Sequence, residues 1–192
     1  FKQKTAYEIR LSLVGSEMCI RDRYGGSIEN RVRLLCEVAK AVGAAAGNEK
    51  TGVRISPTSP YNDMSDPHPV ALYSHVAKEL SDLGVVYLHV MDPVSKQHML
   101  SSGADPVHPA LRPLFHGTMI LNGGYDRATA TEALAANQTD LIAFGLPFLA
   151  NPDFVERTRQ GALLNTPDFA SLYSPGEKGY TDYPFLIPAN QA

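Results

Sequence analysis

Two stretches, Met119-Ile-Leu-Asn-Gly-Gly-Tyr-Asp126 and Leu141-Ile-Ala-Phe-Gly-Leu-Pro-Phe-Leu-Ala-Asn-Pro-Asp153, decide the fold. Each is a short apolar run that ends in glycine and passes into a helix start. A parallel strand covered on both faces reads as a continuous apolar run, and glycine at its end lets backbone N–H groups come close to a ligand. Two such units in succession, with a helix between them, match the last two strands of a β/α barrel, where the loops after strands seven and eight frequently bind phosphate. The expectation is a chain that grips a phosphorylated cofactor or substrate.

Upstream the same rhythm repeats. Ser27 is placed to cap a helix on which Ile28, Val32, Leu35, Ala39 and Val42 recur at helical spacing before Gly43. Residues 51–56 read as a strand stopped by Pro57 and a polar loop through Pro69. A second helix carries Leu72, Val76, Leu80 and Leu83 on one face, with Gly84 just past its end. Residues 85–90 form the next strand, and a loop rich in Ser, Gly, Asp and Pro leads towards His116. The pattern then predicts a strand over 118–123, a helix over 127–136 capped by Asp126, a strand over 141–145 and a helix opened by Asn151-Pro152. Strands alternating with helices imply right-handed βαβ units and a parallel sheet. About four strands are present, where a closed barrel has eight and typically about 250 residues. The expected fold class is α/β: the C-terminal half of a (β/α)8 TIM barrel spanning residues 23–192.

At 192 residues, with 44% hydrophobic and 19% charged residues and a net charge of −3, the composition is that of an ordinary globular domain with a real core. No basic or acidic run supports a nucleic-acid or anionic-membrane partner, and no stretch approaches the roughly 18 apolar residues of a membrane span. Cys19 and Cys36 lack metal spacing and a disulfide framework, so a reducing, cytoplasmic location is expected. The six histidines contain no His-x-x-x-His pair, so no metal is expected, and no Ser/His/Asp triad can be assembled with specificity.

Residues 1–22 stand outside this rhythm, and the chain begins with Phe1. Their Tyr7-Glu-Ile-Arg-Leu-Ser-Leu-Val-Gly-Ser-Glu-Met-Cys-Ile-Arg-Asp22 resembles a recurrent translated sequencing-adapter artefact. They are read as a non-native leader; an authentic leader helix or strand is the alternative. No function is assigned to them.

Arg23-Tyr-Gly-Gly-Ser-Ile-Glu-Asn-Arg31 then gains weight. Taken in order with Val53-Arg-Ile-Ser-Pro57, Asn122-Gly-Gly-Tyr125, Phe144-Gly-Leu-Pro-Phe-Leu-Ala-Asn-Pro-Asp153 and Gly179-Tyr-Thr-Asp-Tyr-Pro184, it resembles the old yellow enzyme family, with the N-ethylmaleimide reductase branch the most similar. Motifs in this order over residues 23–186 are specific, whereas a glycine pair alone is weak. The resemblance implies an FMN-containing (β/α)8 barrel in which NADH or NADPH reduces the flavin and the flavin reduces an activated alkene, such as an enone or a maleimide, with nitro compounds or nitrate esters as a further class.

The resemblance also implies roles residue by residue. Arg54, a guanidinium inside an apolar strand, is costly to bury unless an anion or several acceptors meet it. It corresponds to the arginine beside the flavin N1/O2 edge; a carboxylate on a neighbouring strand is the alternative partner. Gly123, Gly124, Phe144, Gly145 and Leu146 correspond to the loops holding the FMN phosphate; plain strand-to-helix turns are the alternative. Many relatives carry arginine where Leu146 stands, so here phosphate would rest on backbone dipoles or on another basic residue. Tyr173 corresponds to a tyrosine lining the substrate cavity over the flavin, or else covers the barrel as a tail residue. Tyr180, Tyr183 and Phe185 are expected to seal the surface. Residues 24–31 are read as structural: a glycine turn, a cap and an arginine that pairs within the barrel. His89 is expected to be a hydrogen-bonded core histidine.

The family's proton-donating tyrosine and its substrate-anchoring His/His or His/Asn pair precede the Tyr24-Gly-Gly-Ser27 motif, so no catalytic residue is expected within this chain. The chain is thus read as an FMN-binding fragment that is inactive alone and prone to self-associate through open sheet edges. Two further readings stay open: a non-catalytic half-barrel that binds only flavin or phosphate, and another phosphate-binding barrel enzyme.

Overall fold

A computed structural model describes residues 23–59, 65–95 and 103–186; the leader at 1–22 lies outside them. The first helix, α1 (Ile28–Ala46), is capped as its sequence suggests: Ser27 is extended and its side chain accepts from the Asn30 N–H. Strand β1 (Gly52–Ile55) follows, then α2 (Pro69–Leu83), which starts on proline and ends at Gly84 in the left-handed region (φ 72°). Next come β2 (Tyr87–Met91), a one-turn helix α3 (His108–Leu111) and β3 (Thr118–Asn122). Helix α4 (Arg127–Ala135) opens with a reciprocal capping box between Asp126 and Thr129. Strand β4 (Leu141–Ile142) leads to α5 (Leu146–Ala150) and α6 (Phe154–Gln160).

The four strands form one parallel sheet in sequential order, β1-β2-β3-β4. That is the neighbour order of consecutive strands in a (β/α)8 barrel, at half its strand count. One face is the core. Leu88, Val90, Met119 and Leu121 are fully buried and pack in one cluster with Val76, Ala77 and Leu80 of α2, Leu111 of α3, Phe115, and Ala130 and Ala133 of α4. Alternation sends the other residues to the opposite face, the barrel lumen. Parallel register sorts them into layers: Gly52, Tyr87 and Thr118 in one, and Arg54, His89, Ile120 and Leu141 in the next. The Tyr87 ring fills the space that a Cβ on Gly52 would need. Outside the core, Leu34, Val38 and Val42 make an exposed apolar stripe along α1, beside β1. Among the described residues, β1 and β4 each pair on one side only.

Three local expectations are corrected. Strand β4 stops at Ile142 instead of 145: the Ala143 N–H still reaches the Leu121 carbonyl (2.8 Å), but the Ala143 carbonyl is taken by the Asn122 side-chain amide (2.7 Å). The final helix begins at Phe154, not at Asn151-Pro152, because Asn151 is fully buried as a junction. Its amide donates to the Pro147 carbonyl (2.8 Å) and its side-chain oxygen accepts from the Asn165 N–H (2.7 Å). The unforeseen α5 precedes it, and α3 interrupts the loop expected before His116. No described helix is long and apolar enough to cross a membrane.

Candidate functional site

A cavity of about 520 Å³ opens at the C-terminal ends of β3 and β4. Asn122 to Tyr125, Ala143 to Pro147, Leu149, Leu172, Tyr173 and Tyr180 line it. Gly123, Gly124, Phe144, Gly145, Leu146 and Tyr173, named separately from the sequence, therefore meet at one place. Arg54 is not among the lining residues; it lies on β1, two strands from β3, roughly 10 Å away along the sheet.

The glycines differ in what they serve. Gly123 (φ 140°) is needed by the protein itself, because a Cβ there would lie 2.6 Å from the Asp92 carbonyl oxygen and 2.7 Å from the Pro93 Cα. Nothing lies within 4 Å of a Cβ built on Gly145, whose φ of −100° any residue adopts. Gly145→Ala is therefore expected to change stability by less than about 1 kcal/mol while obstructing any anion at the loop. Gly123→Ala should cost roughly 2–4 kcal/mol from backbone strain plus overpacking. Paired thermal melts of the two variants check this; equal losses would contradict it.

The backbone N–H groups of Gly124, Tyr125, Gly145 and Leu146 make no hydrogen bond to another backbone group among the described residues. Such orphan donors, two of them at the positive-φ turn Gly123-Gly124 and two at the start of α5, suit an anion. No charged side chain is among the described residues lining the cavity, and Leu146 adds an apolar wall. The two arginines of the adjoining hollow, which shares Tyr125, Phe144 and Pro147 with this cavity, are committed elsewhere. Arg127 donates to the Thr158 carbonyl (3.0 Å), and Arg157 is bound on all three sides.

Asp92, just past β2, escaped sequence reading. It is fully buried, and its carboxylate accepts from Val107 N–H (2.6 Å), His108 N–H (2.8 Å) and Thr58 Oγ1 (3.1 Å), with His108 Nδ1 also at 2.8 Å. Its own N–H donates to the Asn122 carbonyl (2.8 Å), and the Val94 N–H to that of Gly123 (2.8 Å). Asp92 thus joins three loops, its carboxylate those after β1 and β2 and its backbone that after β3. Burial, aided by the Asp92 charge, pushes the Tyr125 phenol up to about 12, so it stays protonated. The only sequence signal was a lone carboxylate directly behind an apolar strand.

Tyr173 sits over the cavity, 97% exposed, with φ at 60°. Its N–H donates to Tyr180 Oη (2.6 Å), and Tyr183 Oη accepts from the Asp168 N–H (2.7 Å). Those two tyrosines pin the turn by hydrogen bonds, while Phe185 is 66% exposed. Arg157 (5% exposed) fastens the same tail: it donates to Asp153 (2.6 Å) and to the Leu163 (2.7 Å) and Pro184 (2.9 Å) carbonyls.

On the lumen face Arg54 is exposed and makes no ion pair among the described residues. His89, its register partner, corrects the expectation of a bonded core histidine: its Nε2 is buried without a hydrogen-bond partner. The motif at 24–31 is used structurally, as expected. Arg23 and Tyr24 bind Glu37, and Arg31 pairs with Asp66.

The sequence profile of the NADH:flavin oxidoreductase / NADH oxidase family matches residues 19–165. A putative 12-oxophytodienoate reductase 10 from Oryza sativa subsp. japonica is 43% identical over 175 residues, covering 88% of this chain and 55% of that protein. A probable flavin mononucleotide-dependent alkene reductase from Leishmania infantum is 40% identical, covering 86% and 44%. Among solved structures, morphinone reductase in complex with tetrahydroNAD superposes with a TM-score of 0.75 at 42% identity, covering 86% of this chain and 44% of that one. The old yellow enzyme homologue from Zymomonas mobilis gives 0.81 at 36% identity, covering 85% and 46%. The chain spans about half the length of the curated relatives it matches.

Proposed function

The chain belongs to the NADH:flavin oxidoreductase / NADH oxidase family, and on that premise we propose that it supplies the FMN-phosphate half of an ene-reductase barrel. The observation carrying this is the convergence of Gly123, Gly124, Phe144, Gly145 and Leu146 on one cavity with four orphan backbone donors. These residues fit a flavin phosphate held by N–H groups and helix-start dipoles. Arg54 would meet the edge of the ring, where its charge favours electron density, and Tyr173 would close over the substrate. The chemistry such a group supplies is hydride transfer from NADH or NADPH to the β-carbon of an activated C=C bond. Asp92 and Arg157 keep the loops and the tail in place around it. Small activated alkenes are the substrate class.

A second reading, a half-barrel that binds flavin without turnover, is favoured by the placement of the whole cavity on β3, β4 and the tail. On this reading the edges of β1 and β4, unpaired among the described residues, and the stripe Leu34, Val38 and Val42 support self-association of the chain.

Fluorescence titration of the 192-residue chain with FMN and riboflavin tests the proposal. Quenching by both, with FMN at least about tenfold tighter, is expected if the phosphate is held. No quenching with FMN would dispose of it. NADPH consumption with N-ethylmaleimide by the flavin-loaded chain then separates the two readings.

A further inference from the structure

The lumen layer of Arg54 and His89 holds two polar groups that the cavity does not absorb. They are direct register partners on β1 and β2, so their side chains leave the same face one strand spacing apart. Arg54 carries five N–H donors in a fixed fork and has no carboxylate partner among the described residues. His89 carries a buried Nε2 with no partner, one of two such side-chain atoms among the described residues. A buried polar atom left unmet costs free energy, so an orphan beside an exposed, donor-rich neighbour points to a contact that a rotation of the Arg54 side chain completes.

We propose that His89 is the positioning residue for Arg54: its Nε2 accepts one guanidinium N–H across the β1–β2 register and aims the remaining donors into the lumen, towards the carbonyl or anionic edge of a planar ligand. Acceptance requires the neutral ring. Burial, and then the Arg54 charge, push the His89 imidazole below its ordinary value, so it is neutral at pH 7. The described groups of this face that carry charge or titrate are Arg54 and Tyr87. Thr118, Ile120 and Asn122 of β3 and Leu141 of β4 carry no ionisable group. Lowering the pH through the depressed midpoint removes the acceptor and sets a second cation beside Arg54. Ligand affinity is then lost on the acid side and kept on the neutral side. The ligand half of this inference rests on the flavin reading; the Arg54–His89 contact does not.

Ring-nitrogen NMR titration of the flavin-free 192-residue chain tests the contact. His89 is expected to titrate below the ordinary imidazole value, and to rise towards it in Arg54→Met. Slowly exchanging Arg54 side-chain N–H signals should vanish in His89→Phe and return in His89→Gln, which keeps an acceptor. A His89 that titrates at the ordinary imidazole value, or ignores Arg54→Met, overturns the proposal. In flavin titrations His89→Phe should weaken FMN and riboflavin alike by about tenfold, because the phosphate is not involved, and His89→Gln should stay within about threefold. The acid-side loss of affinity should be absent in His89→Gln. Unchanged affinity in His89→Phe overturns the role towards the ligand. If the wild-type chain binds neither flavin, the flavin reading falls, and the ring-nitrogen titration still decides the contact.

Discussion

Asp92→Asn is expected to destabilise the chain by about 3–5 kcal/mol, the cost of breaking a buried hydrogen-bonded charge cluster. The carboxylate accepts from two backbone N–H groups and a threonine hydroxyl and faces His108 Nδ1, with no solvent to replace it. An asparagine amide keeps the shape, but it supplies one oxygen and turns an NH2 group towards donors. The midpoint of thermal unfolding should fall by roughly 6–20 °C for a domain of this size. The loop at Gly123 packs directly on the Asp92 backbone, so flavin affinity should fall with it. A loss under about 1 kcal/mol in a denaturant melt would show that the loops after β1 and β2 are held by other contacts.

Arg157→Met should cost a comparable amount, about 3–5 kcal/mol, by a different route. The substitution keeps much of the buried stem and removes the fork. It leaves the Leu163 carbonyl without a partner, and Asp153 without its cation. The Pro184 carbonyl retains only the Asn165 amide (2.9 Å), and the Leu186 N–H still reaches Asp153 (2.6 Å). The tail that carries Tyr173 is therefore expected to detach before the sheet melts. Limited proteolysis should cut between residues 163 and 186 well before the strands; a tail as resistant as in wild type would contradict this.

The parts of the fold legible in the sequence were those governed by local chemistry. The apolar runs of β2 and β3, the Ser27 and Asp126 caps and the Gly84 stop each follow from a few neighbouring residues. The glycine-ended strands are read as places of close ligand approach, and at Gly145 no protein atom competes for that space. At Gly123 the reason differs, since the backbone at Asp92 and Pro93 occupies the space. What stayed hidden depends on residues distant in the chain. Asn151 reads as a helix start, but its partner Asn165 is 14 positions away, and that bond moves the helix to Phe154. Arg157 belongs to no motif, and its role comes from the Pro184 carbonyl 27 positions on. The orphaned Nε2 of His89 shows only in three dimensions, because alternation places the residue on a face without saying what meets it there.

The central claim is that the glycine loops after β3 and β4 hold the phosphate of FMN through backbone N–H groups. Backbone amide NMR of the 192-residue chain titrated with FMN, with riboflavin as the comparison, tests it most directly. The largest FMN-specific shifts are predicted at Gly124, Tyr125, Gly145 and Leu146, with riboflavin leaving these amides nearly unmoved. FMN binding that shifts amides elsewhere and leaves these four in place would contradict the account.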